Sequence, residues 1–140
     1  MERGDLATST RPRIVVVMEG VLAVVTPIIE RTGLLRRQEV TGHSIVWKRD
    51  PLARIATTKR RWPDTSFDVV TFVSQAVADE AAEFFLEAGI PIDTVSHHRL
   101  DRYTSLLPFQ SDITMVLDSD GGRLDRYGQL GHAVVFGKDF

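Results

Sequence analysis

Three short segments of the chain end in residues that could do chemistry. The apolar run Ile14 to Val17 leads to Glu19, which stands before Gly20-Val21-Leu22. The run Phe67 to Val73 leads to Ser74, and Ile113 to Leu117 leads to Asp118 and Asp120. Two acids directly after a buried strand make a candidate cation site, because a hard cation such as magnesium takes oxygen ligands. Acidic turns without metal are equally ordinary, and Asp118-Ser119-Asp120-Gly121-Gly122 is rich in turn formers. Ser74 precedes a helical pattern and so suits an N-cap, while Glu19 before a glycine suits a polar turn. His97 and His98 are adjacent on an extended segment, where neighbouring side chains point to opposite faces, so a shared metal is not expected. The chain contains no cysteine, which removes disulfides and thiolate metal sites.

The elements that must position these residues alternate. Met1 to Pro12 is polar and aperiodic and reads as a flexible arm preceding a single domain over residues 13–140. Ile14 to Val17 is an all-apolar, β-branched run of the kind found in central parallel strands. Thr26-Pro27 can begin a helix that Gly33 ends. His43 to Lys48 and Leu52 to Lys59 read as strands joined at Arg49-Asp50-Pro51, a hairpin insertion at about residues 38–61. Phe67 to Val73 is a second core strand. Gln75 to Ala88 carries apolar residues at helical spacing, with Gly89 placed to end the helix. Ile92 to Val95 reads as a strand, Tyr103 to Leu107 as a short helix, Ile113 to Leu117 as a strand, Arg123 to Tyr127 as a helical turn and His132 to Phe136 as a last strand. Strands alternating with helices predict an α/β fold with a mostly parallel, doubly wound sheet. In such sheets ligands bind beyond the carboxyl ends of the strands, where Glu19, Ser74, Asp118 and Asp120 are predicted to gather.

The segments RIVVVMEGVL and ITMVLDSD together resemble the two signature strands of haloacid-dehalogenase-like (HAD) phosphatases. The resemblance implies a Rossmann-like domain with a small β-hairpin flap after the first strand and no large cap domain. It also implies roles. The family's first strand carries a nucleophilic aspartate and, two residues on, an acid/base aspartate; those positions are Val17 and Glu19 here. Gly20 keeps the phosphate-binding turn, and Ser74 matches the phosphate-binding hydroxyl. Asp118 and Asp120, with Glu19, match the acids that hold magnesium, Asp118 being the direct ligand. Arg99 and Arg102 are candidates, by order alone, for the base that steadies the phosphoryl group. The ending Gly137-Lys138-Asp139-Phe140 is similar to the tail of polynucleotide 3′-phosphatase domains.

Phosphoryl transfer through a covalent intermediate needs an oxygen nucleophile in line with the leaving group, and valine has none. The chain therefore reads first as a degenerate member that binds or regulates without catalysis. A divergent magnesium-dependent phosphatase, with Glu19 activating a metal-held water, is the enzymatic alternative. A structural or assembly role is the third.

Charge narrows the partners. The net charge is −2, yet Arg36 to Arg61 holds eight bases against two acids, and the remainder from Asp64 holds thirteen acids against five bases. A basic stretch of this kind points to an anionic partner, either a phosphorylated small molecule or nucleic acid, with a protein interface as the alternative. Trp47 and Trp62, flanked by bases, suit either base stacking or anchoring of the hairpin. No apolar run approaches the roughly 20 residues that span a bilayer, and the first residues lack a secretory apolar stretch, so a cytoplasmic protein without membrane contact is expected.

Overall fold

Consecutive β-branched residues in Arg13–Val17 (β1) form the centre of a five-stranded sheet in the computed structural model, which describes residues 12–33, 37–99, 115–129 and 133–136. The neighbours of β1 are Ser66–Thr71 (β4) and Met115–Asp118 (β6), with Thr94–His97 (β5) and Ala133–Phe136 (β7) at the edges, giving the order β5-β4-β1-β6-β7. Every pairing in this sheet is parallel, with Val17 opposite Val70 and Val15 opposite Val116. The chain moves outward from β1 to β4 and β5, then returns to the other side of β1 with β6. That reversal sets a topological switch point beside β1.

Alternation along the strands divides the core in two. Val16, Phe67, Val69 and Leu117 face one side, where Leu52 and Ile55 of Arg49–Arg61 (α1) and Val77, Ala81 and Phe85 of Gln75–Ala88 (α2) cover them. Val15, Val70 and Val116 face the other side, against Leu124 of Gly121–Gln129 (α3). The sheet thus lies between helices, as its all-apolar strands require. Helix α2 matches its predicted span, and Gly89 closes it in the left-handed conformation (φ 69°) with its N–H on Leu86 and Phe85 carbonyls.

The hairpin lies earlier than expected. It pairs Ala23–Thr32 (β2) with Arg37–Trp47 (β3), antiparallel, with a bulge after Ile28. The predicted helix at Pro27 to Thr32 is therefore strand. Pro27 is tolerated because a two-stranded ribbon consists of two edges, where a missing N–H is harmless. The predicted second hairpin strand, Leu52 to Lys59, is the body of α1, and Pro51 lies in its first turn, where no N–H is needed for the helix ladder. Trp47 anchors the ribbon to the domain. Its ring stacks on Phe84 (centroids 4.3 Å apart, planes 5° apart) and meets Phe85 edge-on at 5.0 Å. The segments Met1 to Arg11, Tyr103 to Leu107 and Gly137 to Phe140 lie outside the described residues. Among the described residues no helix is long and apolar enough to cross a membrane.

Candidate functional site

The carboxyl ends of β1, β4 and β6 converge, and the connection leaving β1 explains how. Glu19 (φ −66°, ψ 120°) and Gly20 (φ 88°, ψ −20°) have the dihedral angles of the two central residues of a type II turn, and Leu22 N–H, one residue beyond it, donates to the Met18 carbonyl at 2.9 Å. The positive φ at Gly20 favours glycine, and so does its surroundings: a Cβ there would sit 2.1 Å from Ser119 Oγ. Ser119 Oγ donates to the Glu19 carbonyl at 3.1 Å, joining the end of β6 to the turn. Lys48 Nζ donates to the Gly20 carbonyl at 2.8 Å, and Lys48 N–H donates to Leu22 O at 2.8 Å, so the far end of the hairpin is tied to the same turn.

The turn swings the Glu19 side chain toward β4. Thr71, the fully buried last residue of that strand, donates its hydroxyl to Glu19 Oε1, and Phe72 N–H donates to Oε2 at 3.2 Å. Thr71 Oγ1 also accepts from Val73 N–H at 3.1 Å, which orients the hydroxyl. Both carboxylate oxygens of Glu19 are thereby engaged from one strand end.

Asp118 is fully buried, and its partner is a base. Arg123, in the first turn of α3, places Nε 2.7 Å from Asp118 Oδ2 and Nη2 3.0 Å from Oδ1. Asp120 N–H adds a third donor to Oδ1 at 3.0 Å. This is the two-pronged fork that a planar guanidinium makes with a carboxylate. The guanidinium also lies over the Phe72 ring, 5.0 Å from its centroid. Phe72 therefore touches both halves of the cluster, its N–H on Glu19 and its ring under Arg123. The Asp120 side chain serves the helix instead. Its Oδ1 accepts from Arg123 N–H at 2.9 Å, the geometry of an N-cap on α3. That hydrogen bond, aided by the nearby Arg123 and Arg126 charges, holds the Asp120 carboxyl below its ordinary value against the opposing effect of burial.

The residues picked from sequence separate accordingly. Val17 is completely buried at the end of β1. Glu19, Gly20 and Asp118 meet at the strand ends, as expected from their order. Ser74 is the N-cap of α2, its hydroxyl accepting from Val77 N–H at 3.2 Å, and the hydroxyl beside Glu19 belongs to Thr71. Arg99 is exposed after β5, and Arg102 lies outside the described residues. Thr71, Phe72, Lys48, Ser119 and Arg123 were not singled out. Arg123 had one available signal: it follows the acid pair at the start of a helix, where it can reach back to the strand end.

The acids as arranged do not suit a magnesium ion. Asp118 offers no oxygen that a guanidinium does not already hold, and both Glu19 oxygens serve β4. Among the described residues no cluster of three His, Cys, Asp or Glu side chains could ligate a metal. The site as built fixes two carboxylates with internal donors around an aliphatic side chain.

An α/β domain with a parallel sheet, a turn and hairpin after its first strand, and an acid cluster at the strand ends is the class that fold and site define. No family model and no curated protein matches the chain. Among solved structures it is similar to a chain of the "Structure of Pnkp1/Rnl/Hen1 complex", with a TM-score of 0.59 and 11% identity, covering 91% of this chain and 46% of that one. It is likewise similar to a chain of the "Structure of the Pnkp1/Rnl/Hen1 RNA repair complex", with a TM-score of 0.61 and 12% identity, covering 91% and 42%. The chain thus spans less than half the length of these neighbours, and at such identities the likeness is one of fold.

Proposed function

We propose that the chain is a degenerate HAD-like domain that binds a phosphorylated partner, nucleic acid foremost, without hydrolysing it. The hairpin directly after β1 and the carboxylates at the ends of β1 and β6 support the HAD-like reading. The likeness to a chain of an RNA repair complex supports a polynucleotide context.

One observation carries the loss of catalysis. A buried valine stands at the nucleophile's position, and beside it the acid expected to hold magnesium is forked by Arg123. A guanidinium is a permanent cation that gives up no proton at neutral pH, and it holds the oxygens a metal would need. With the attacking oxygen absent, the remaining carboxylates act as structural groups. Removing a nucleophile from an intact catalytic unit costs on the order of 10⁶ in rate, and here the metal position is changed as well.

The test is phosphate release from nucleotides and from 3′-phosphorylated oligonucleotides with magnesium present. The expected result is the uncatalysed rate. Magnesium-dependent turnover that disappears in Asp118→Asn and Glu19→Gln would establish the divergent phosphatase instead.

A further inference from the structure

The basic stretch folds into a helix, and the fold sorts its charges. Leu52 and Ile55 face the core, and Lys59 turns inward to Thr65 O at 2.5 Å and to Asp93 at 3.2 Å. At 3.6 residues per turn the positions 49, 54, 60 and 61 fall within an outward arc of about 140°. Arg49, Arg54, Arg60 and Arg61 are all exposed, and among the described residues none of them makes a salt bridge. Asp50 is the acid on that arc. At the end of the helix Trp62 is 59% exposed, and Arg61 lies over its ring at 5.7 Å. Trp62 is thus largely exposed beside the exposed arginines and is not used by the core.

We propose that the outward face of α1 binds single-stranded nucleic acid, with the four arginines on successive phosphates and Trp62 stacked on a base. The argument is charge complementarity along a rigid rod. The rod is about 18 Å from Arg49 to Arg61. It presents cations that no salt bridge among the described residues neutralises, and it ends in an aromatic face that any base can cover. A single strand is preferred to a duplex because stacking on Trp62 requires an unpaired base. The choice of nucleic acid over other polyanions rests on the functional reading above, whereas the surface itself does not depend on the strand-end cluster.

The experiment is fluorescence anisotropy of a short labelled single-stranded oligonucleotide with the full chain over a range of salt. Each neutralised phosphate contributes about −0.7 to the slope of log K against log salt for single strands, so a slope of roughly −2 to −3 is expected. R54A/R60A/R61A should weaken binding at least about tenfold and flatten the slope by about 2. Trp62→Ala should weaken it about fivefold or more, and bound oligonucleotide should quench fluorescence that Trp62→Phe lacks. These substitutions are at exposed positions, and unchanged thermal unfolding confirms folded variants. Absence of binding overturns the proposal, as does binding that the triple variant retains, equal affinity for duplex, or equal competition by polyglutamate. Phosphate release in the earlier assay with arginine-dependent binding intact would remove only the non-catalytic reading. No release and no binding would remove this proposal and nucleic acid as the foremost partner, and leave the non-catalytic reading standing.

Discussion

Arg123 holds both oxygens of the fully buried Asp118, at 2.7 and 3.0 Å, and so supplies from within the chain the positive charge that this carboxylate requires. An ionised carboxylate without a counter-charge is not tolerated in such a position. Arg123→Met should therefore destabilise by about 3–5 kcal/mol, because it leaves that charge buried and alone. The double variant Asp118→Asn with Arg123→Met should recover much of the loss. Urea unfolding of the four proteins gives the coupling energy, and additive effects would show that the fork contributes nothing of its own.

The Glu19–Gly20 turn is tested by Gly20→Ala. The methyl group meets Ser119 at 2.1 Å in a left-handed conformation, and strain of this sort costs roughly 1–3 kcal/mol. Adding Ser119→Gly removes the clash but not the positive φ, so stability should return only in part. Full recovery in denaturant titrations would mean that backbone conformation is unimportant there.

Ser74 and Thr71 should behave differently. Ser74→Ala removes an N-cap at a cost of about 1 kcal/mol, while Ser74→Asp preserves it. Thr71→Val removes a buried donor from Glu19 and should cost about 1–3 kcal/mol. Thermal unfolding ranks the three. A stability loss in Ser74→Asp equal to that of Ser74→Ala would contradict the capping role.

His98 gives the chain a pH response. Burial, and secondarily the neighbouring His97, lowers its pKa from 6.5, while its Nε2 lies 3.1 Å from Ser96 Oγ and its backbone N–H donates to Thr71 O. Its folded pKa is depressed, so the unfolded chain binds the proton more readily. Its contribution to stability is complete above the ordinary histidine value and is lost as the pH falls through the folded one. Melting temperature should fall on acidification below 6.5, and His98→Gln should flatten that part of the profile. An unchanged profile in the variant would assign the response to other groups.

Much of the fold was legible because its signals are local. The β-branched run of β1 and the apolar spacing of α2 before Gly89 have single readings. Helix α1 did not, since only Leu52 and Ile55 are buried in it and Ile55, Thr57 and Thr58 favour strands. Asp50-Pro51 and Thr26-Pro27 are each compatible with a turn, a helix start or an edge strand, and only tertiary pairing decides among them. The strand-end site was legible where it follows strand order, at Glu19, Gly20 and Asp118. Reading β4 two residues too long moved the hydroxyl from Thr71 to Ser74. Arg123 was less legible: its place after the acid pair at a helix start is a faint local signal, and its role is fixed only when that helix folds back over the strand end.

The most direct measurement is calorimetric titration of magnesium into the purified protein near neutral pH. With the Arg123 guanidinium on both oxygens of Asp118, no saturable site is expected, and Asp118→Asn should give the same trace. A saturable magnesium site that vanishes in Asp118→Asn would contradict the internal ion pair and return the cluster to metal-dependent chemistry.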